Sequence, residues 1–267
     1  MSRVLWALHD GHVVALRNVT LIKRVPEVLV GVLVAPVMFV LLFAYVFGGS
    51  IDTGGVSYRE FLIGGIFAQT VVFGATFTGA GLAQDVQKGI IDRFRSLPMA
   101  RSAVLVGRTA SDVIYNVLTV AIMSLSGLMV GWRIRSSLLD ALGGFLLLLV
   151  FAYAFSWVMA YVGLLVPKPE VVNNASFVVI FPATFIANTF VPSENLPGVL
   201  RTFAEWNPVS SVTQAARVAF GNTSPLAPKP EVWPLQHPVA YTLIWVGVLL
   251  AVFVPLSVRQ FQRAALR

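Results

Sequence analysis

The chain has 267 residues, of which 57% are apolar and only 12% charged, and its mean hydropathy is +0.81. A soluble domain of this length needs a far more polar surface, so the composition indicates an integral membrane protein. The formal net charge of +7 does not indicate nucleic-acid binding, because the nineteen Lys and Arg residues are spread thinly between apolar runs. The chain has no Cys, which excludes disulfides and thiolate metal sites.

Residues 1–27 precede the first apolar run and mix apolar side chains with basic ones such as Arg3, Arg17 and Lys23. This pattern predicts an amphipathic helix lying in the inner membrane interface, with Pro26 turning the chain into the first span. A frayed, solvated tail is the alternative interpretation.

Six apolar runs are long enough to cross a bilayer, which takes about twenty residues. They are Val28–Phe47, Phe61–Ala83, Val104–Gly131, Leu138–Val166, Val171–Phe190 and Val239–Val258. Twelve Lys and Arg then lie on the side of the two termini, six lie on the opposite side, and Arg108 lies in the third run. Short cytoplasmic loops are enriched in Lys and Arg, so both termini are predicted to be cytoplasmic. The chain is predicted to form one transmembrane domain, with 1–27 as lead-in, 28–258 as a six-span bundle and 259–267 as a cytoplasmic tail.

The stretch "DVQKGIIDRFRSLPMAR", Asp85–Arg101, interrupts the apolar runs with six charged side chains. On a single helix from Asp85 to Leu97, one apolar edge would be lined by four side chains, those of Val86, Ile90, Phe94 and Leu97. Placing six charges at mid-bilayer would cost roughly 15–20 kcal/mol, so the segment is predicted to lie flat on the cytoplasmic surface. Periodicity leaves open whether its apolar edge rests on lipid headgroups or inserts into a groove of a soluble partner.

Polar side chains within the predicted spans are candidates for a substrate path, although each is more typical of contacts between helices. The candidates are Gln69, Thr76, Asn116, Thr184 and Asn188. Asp112 is the acidic residue well within a span, and it is expected to pair with Arg108 four residues earlier. The run "GATFTGAG", Gly74–Gly81, predicts close helix packing, either within the chain or across a dimer. Five prolines between Asn222 and Pro238 predict an irregular external segment.

Two stretches resemble the ABC-2 type transporter permeases, especially the daunorubicin-resistance type of drug and lipid exporters. The stretch "QKGIIDRFRSLPMARSAVLVGRTASD", Gln87–Asp112, is similar to the family's segment after the second span. The stretch "FVPSENLPGVLRTFAEWNPVSSVTQAARVAFG", Phe190–Gly221, is similar to its external segment between spans five and six. A weaker match is "ALRNVTLIKRVPEVLVG" near the N-terminus, and the resemblance covers essentially the whole chain.

The resemblance implies an all-α integral membrane protein of six transmembrane helices. It adds an N-terminal amphipathic interfacial helix, a cytoplasmic coupling helix between spans two and three, and external re-entrant helices between spans five and six. It also implies a permease subunit that exports a hydrophobic or amphipathic drug, antibiotic or lipid across a bacterial plasma (inner) membrane.

The partners that the resemblance implies are two copies of an ATP-binding subunit, a second permease subunit in a homodimer or heterodimer, and membrane lipid. The chain contains no Gly-Lys pair and therefore no phosphate-binding loop. We therefore expect this chain to be no enzyme and to hold no metal or cofactor, with ATP and Mg²⁺ bound by the partner.

The residues that match the family's coupling motif lie in one short stretch. They are Gly89, Ile90, Asp92, Arg93, Phe94, Arg95, Ser96, Leu97, Pro98 and Arg101. By the resemblance, Ile90, Phe94 and Leu97 would be the inserted apolar knob. Asp92, Arg93 and Arg95 would form its charged rim, which sets the choice of partner. Gly89 and Pro98 would bound the helix.

Other functional classes fit less well. An intramembrane enzyme lacks a buried catalytic pair, since His9, His12 and His237 all fall outside the predicted spans. A channel would need a charged ring or a filter-like sequence, and neither is evident. A membrane scaffold and an exporter of polysaccharide or lipid-linked glycan remain as alternatives.

Overall fold

The computed structural model describes residues 34, 37–48, 51, 53, 55–90, 103–166, 168–224 and 230–264. All regular secondary structure in these residues is helical. The predicted interfacial helix at 1–27 lies outside them, and so do residues 91–102, which include most of the predicted coupling residues. The predicted single-domain organisation stays a prediction.

The described residues form ten helices, counting a span broken in two, and one short 3-10 helix at Ser193–Asn195. In chain order they are α1 (Val37–Phe47), α2 (Tyr58–Gly74), α3 (Thr76–Gln87), α4 (Ala103–Met129), α5 (Leu138–Leu165), α6 (Pro169–Ile186), α7 (Gly198–Trp206), α8 (Pro208–Ala219), α9 (Trp233–Gln236) and α10 (Pro238–Ala264).

Five segments are long and apolar enough to cross a membrane: α2 with α3, α4, α5, α6 and α10. Each overlaps one of the predicted spans two to six. The predicted first span, Val28–Phe47, is described only in its second half, where α1 is too short to cross a bilayer by itself. The last five residues of α1, Phe43–Phe47, have the wider turns of a π-helix. Six spans therefore stay a prediction.

Helix α5 is the centre of the bundle and packs against α2, α3, α4, α8 and α10. Its first residue follows a cap, because the hydroxyl of Ser137 accepts a hydrogen bond from the Asp140 amide (3.2 Å). Two glycines allow its close approach to α3. A Cβ on Gly163 would lie 2.1 Å from the carbonyl oxygen of Gly79. The small-residue run in α3 thus packs within the chain at this position.

The fifth span ends earlier than the sequence predicts. The prediction ran to Phe190, but α6 ends at Ile186, and Ala187 has extended backbone angles. Asn188 therefore does not lie on this helix, which corrects its placement in span five. Tertiary contacts replace the helical ones, since the Asn188 amide donates to the Ser210 hydroxyl (2.8 Å). Pro182 lies inside α6 without ending it.

A helical hairpin of α7 and α8 follows this turn. Helix α8 packs against α2, α5 and α10, and eight of its twelve residues are buried. Helix α7 begins at Gly198, directly after Pro197.

Asn207 joins the two helices of the hairpin. Its side-chain oxygen accepts from the Val209 amide (2.9 Å) at the start of α8, and its side-chain nitrogen donates to the Ala183 carbonyl near the end of α6 (2.7 Å).

The bundle has two ends, which we name the Trp132 end and the Gln87 end. At the Trp132 end, the loop between α4 and α5 bonds to the turn after α8, where the Trp132 indole donates to the Asn222 side chain (2.7 Å). Arg135 forms an ion pair with the buried Glu60 of α2 (2.8 Å). The proline-rich segment at this end is not wholly irregular, because Pro234 fits the first turn of the short helix α9.

Candidate docking segment and substrate cavities

The predicted docking segment begins where α3 ends, at the Gln87 end of the bundle. The amide of Lys88 donates to Gln84 O (2.9 Å), and the amide of Gly89 donates to Val86 O (3.0 Å). Gly89 then has φ +65°, a left-handed conformation that a helix does not contain. The predicted single helix from Asp85 to Leu97 is therefore wrong, and Val86 is not on the same helix as Ile90.

Of the predicted coupling residues, only Gly89 and Ile90 lie within the described part of the chain. Gly89 terminates the preceding helix, which agrees with its expected role as a boundary, and Ile90 is half-buried. The remaining coupling residues stay predictions. They are Asp92, Arg93, Phe94, Arg95, Leu97, Pro98 and Arg101.

Further from the Gln87 end, polar side chains join α3 to α4. The hydroxyl of Thr78 donates to the carboxylate of Asp112, which is buried. Arg108 donates instead to the carbonyl of Phe77 (2.8 Å). The ion pairs among the described residues do not include Arg108 with Asp112, so their expected pairing is wrong. The reason is geometric, because the neighbouring helix supplies a closer partner to each group.

The break between α2 and α3 lies one turn from this cluster, at Ala75. The hydroxyl of Thr76 donates back to Phe73 O (2.7 Å), and Asn116 of α4 packs against Gly74, where a Cβ would lie 2.8 Å from its side-chain oxygen. Two candidates for the substrate path, Thr76 and Asn116, thus lie together at the break. Asn116 also donates to Asp112 O in its own helix (2.9 Å).

A groove of about 780 Å³, here called the Thr184 groove, lies between α6 and α7. Its wall is almost wholly apolar and includes Val72 of α2, Phe155 of α5 and Phe203 of α7. Thr184 donates to Ile180 O in its own helix (2.9 Å), so its hydroxyl is satisfied without a ligand.

A second space of about 1090 Å³, here called the Arg217 cavity, lies near the Trp132 end between α2, α8 and α10. Asn188 lines it and accepts a hydrogen bond from Arg217 (2.9 Å). Gln69, the remaining candidate, is buried within α2 and lines neither space. The five path candidates therefore fall into four places rather than one.

Arg217 is the residue that the sequence reasoning missed. Its side chain is 1% exposed, and it donates to Phe61 O (2.8 Å) and Thr189 O (3.0 Å) as well as to Asn188. A Cβ on Gly64 would meet the side chain of Arg217 at 2.8 Å, so a glycine of α2 makes room for it. The available signal was a lone Arg among small and apolar residues in "VSSVTQAARVAFG".

Comparison with known proteins decides the family. Residues 12–220 match the family of ABC-2 type transporters, which is well over half of the chain. The chain belongs to the ABC-2 type transporter family. This ABC-2 permease is 33% identical over 240 residues to the daunorubicin resistance ABC transporter permease protein DrrB1 of Streptomyces coeruleorubidus, covering 90% of this chain and 81% of the relative.

Two more distant relatives agree with this family. The permease is 25% identical over 236 residues to the probable doxorubicin resistance ABC transporter permease protein DrrC of Mycobacterium tuberculosis, covering 86% of this chain and 80% of the relative. It is 23% identical over 204 residues to the putative transport permease ycf38 of Porphyra purpurea, covering 75% and 70% respectively. The predicted membership of the daunorubicin-resistance-type permeases is confirmed.

The permease carries a cluster of aromatic rings where α7, α9 and α10 meet. The ring of Tyr241 lies 6.4 Å from that of Trp206, 6.0 Å from that of Trp233 and 6.3 Å from that of Trp245. The Tyr241 hydroxyl donates to Trp206 O (2.8 Å). These contacts join α7 to α10 and α10 to α9.

Proposed function

We propose that this ABC-2 permease is the membrane subunit of an ATP-driven exporter of a hydrophobic or amphipathic molecule. A separate ATP-binding subunit would hold ATP and Mg²⁺ and dock on the segment Gly89–Arg101. The observation that carries the proposal is the match of residues 12–220 to the ABC-2 family, together with the absence of any Gly-Lys pair from the sequence.

The geometry of α2 and α3 supports a mechanical connection to that partner. The span is anchored in the bundle through α2, whose residues are nearly all buried, and it runs through the break at Ala75 to the turn at Gly89. A force applied to the docking segment would therefore act directly on α3. The contact between Thr78 and Asp112 would pass part of that force to α4.

We place the Gln87 end in the cytoplasm and the Trp132 end outside, in a bacterial plasma membrane. The excess of Lys and Arg on the side of both termini supports this orientation. It requires six spans, with α1 as the second half of the first. Two such permeases, identical or not, and two ATP-binding subunits would form the exporter.

We also propose that α7 and α8 form a re-entrant hairpin in the outer leaflet. Trp206 and Asn207 at its tip line the same groove as Val72. At 1.5 Å per residue, Val72 lies about 21 Å along the helix from Tyr58, the first residue of α2. A membrane core is about 30 Å thick, so a tip near this depth supports re-entry.

The linings of the two cavities favour an amphipathic passenger over a sugar polymer. Apolar side chains dominate the Thr184 groove, and apolar side chains also form much of the Arg217 cavity. A path for a glycan needs a succession of polar groups and aromatic faces along its length. The Thr184 groove offers few polar groups, so a drug or lipid fits it better.

Co-purification tests the proposed partnership. The permease, expressed with the ATP-binding subunit encoded beside it, should bring that subunit down from detergent extracts and raise its ATPase rate. Inactivating the partner's phosphate-binding Lys should stop export without releasing the permease. A permease that never associates with an ATPase would refute the proposal and leave the scaffold alternative.

Charge reversal tests the docking segment. Phe94→Asp or Arg95→Glu should weaken association with the ATPase at least about tenfold, because each puts a mismatched charge at the predicted contact. Membrane insertion should be unchanged. Arg259→Glu is the matched control, since Arg259 is an exposed residue of α10 at the same end. The docking role would be contradicted if the control lost as much ATPase association as the test variants, or if the two test variants lost none.

A further inference from the structure

The wall of the Arg217 cavity has a polar side and an apolar side. Asn188, Gln214 and Arg217 contribute the polar side. Val218, Val239 and Leu243 contribute the apolar side, and each is about half exposed, at 52%, 49% and 49%. Val239 and Leu243 belong to the apolar span α10 and Val218 to the neighbouring α8, so the apolar side of the cavity is continuous with the exposed surface of a candidate span.

Arg217 forms no direct ion pair with any of the described residues, and the nearest carboxylate in its cavity, that of Glu194, lies on the wall without bonding to it. Its three hydrogen-bond acceptors are two carbonyls and one amide, all neutral, and its guanidinium carbon lies 3.4 Å from the centre of the Phe61 ring. A guanidinium carries five N–H donors, so two remain beyond these three bonds. A buried cation without an anion costs several kcal/mol, and a bound anion offsets that cost.

Further polar atoms near Arg217 lack partners. The hydroxyl groups of Thr189, Ser193 and Thr213 are all buried and have no hydrogen-bond partner within the chain. Thr213 precedes Arg217 by one helical turn on α8, and Thr189 is the residue whose carbonyl Arg217 contacts. None of these three residues lines the cavity, so the unused hydrogen-bonding capacity at its wall belongs to the guanidinium of Arg217 itself.

We propose that the Arg217 cavity binds an amphiphile with an anionic head, a phosphate or carboxylate group. The head lies against Arg217 and Gln214, and the apolar tail leaves past Val218, Val239 and Leu243 toward the bilayer. The site goes beyond the proposed export function, because one chain holds it complete and no ATPase is needed to fill it. A resident lipid and an exported molecule share this chemistry.

Replacing Arg217 itself would remove its hydrogen bond from α8 to α2 and could disturb the fold. Two isosteric substitutions therefore test the site and leave the bonds of Arg217 in place. Gln214→Glu puts a carboxylate on the cavity wall one helical turn from Arg217 and competes with the ligand's head. Glu194→Gln removes a carboxylate that lines the same cavity. The two changes should shift the affinity for an anionic head group in opposite directions. Gln87→Glu makes the first change at an exposed position of the far end and serves as control.

The probe is radiolabelled dodecyl phosphate, measured by scintillation proximity on the full chain immobilised in dodecyl maltoside. Wild type should bind it saturably, and unlabelled dodecyl phosphate or dodecanoate should compete. Dodecyltrimethylammonium should not compete, and inorganic phosphate should do so only far more weakly, which separates an amphiphile from a free anion. Gln214→Glu should weaken binding by on the order of tenfold or more, and Glu194→Gln should strengthen it.

Several results would overturn the site. They are competition by the cation equal to that by the anion, full competition by inorganic phosphate alone, or equal affinities of wild type and Gln214→Glu. Thermal unfolding of each variant should match wild type, which shows that the fold is intact. If the permease failed to associate with an ATPase but still bound dodecyl phosphate, the export proposal would be refuted and the binding site would remain supported.

Discussion

The contact between α3 and α5 at Gly79 and Gly163 makes a sharp prediction for a single methyl group. A Cβ on Gly163 would lie 2.1 Å from the carbonyl oxygen of Gly79 and 2.7 Å from its carbonyl carbon. Ordinary C···O contacts begin near 3.4 Å, so Gly163→Ala must separate the two backbones by about 1.3 Å. Neither partner is a flexible side chain that could turn away.

The magnitude follows from two opposing effects. Replacing a helical Gly by Ala favours the helix by up to about 1 kcal/mol. Overpacking at a close contact costs about 1–3 kcal/mol, and more where rigid backbone must move. Opening the interface by more than 1 Å also forfeits a large part of the dispersion energy along it. We therefore expect Gly163→Ala to lower the free energy of unfolding by about 1–3 kcal/mol.

The matched control is Gly143→Ala on the same helix. A Cβ there would meet nothing within 4 Å, so the substitution should be neutral or stabilising by up to about 1 kcal/mol. The assay is thermal unfolding of the purified chain in dodecyl maltoside, followed by fluorescence-detected size exclusion. The argument fails if Gly163→Ala is as stable as wild type, or if both variants lose the same stability.

Three further predictions concern polar contacts. Thr78→Val should lower the free energy of unfolding by about 1–3 kcal/mol, because it removes a hydrogen-bond donor from the buried Asp112 carboxylate. In a double-mutant cycle, the same change should have little further effect when Asp112 is already replaced by Asn. Trp132→Phe should cost about 1 kcal/mol through its lost indole hydrogen bond, and a variant as stable as wild type by thermal unfolding would contradict that role. Arg201→Ala should leave the free energy of unfolding nearly unchanged, because exposed ion pairs contribute little, although the hydrogen bond to Glu205 raises the pKa of Arg201. A clear loss of stability in chemical denaturation would show that the pair is not screened by solvent.

The spans could be predicted because the bilayer imposes a length on them. The run Leu138–Val166 became α5, with its start unchanged and its end shifted by one residue. The fourth and fifth candidate spans of the structure, in α6 and α10, likewise overlap predicted runs. Apolar length is a property of the local sequence, so counting suffices. The break at Ala75 could not be predicted this way, because it contains no proline and rests on contacts of Thr76 and Asn116.

The candidate site was predicted less completely, for the same reason. Gly89 was identified as a boundary of the docking segment, and its left-handed conformation agrees. Thr184 and Asn188 were identified as polar candidates, but the sequence does not reveal that two separate cavities hold them. Arg217 was counted only as one loop charge, since its burial is decided by residues as distant in the chain as Phe61.

The two hydrogen bonds of Asn207 limit which amino acids can replace it at the tip of the hairpin. Two helix ends meet there, the start of α8 and the end of α6, and one amide serves as acceptor for the first and donor for the second. Aspartate offers the acceptor but not the donor and adds a charge, whereas leucine offers neither. Irregular backbone away from water must satisfy its own polar groups. One side chain that is both donor and acceptor thus satisfies backbone groups of two helices at once, which neither an acidic nor an apolar side chain could do.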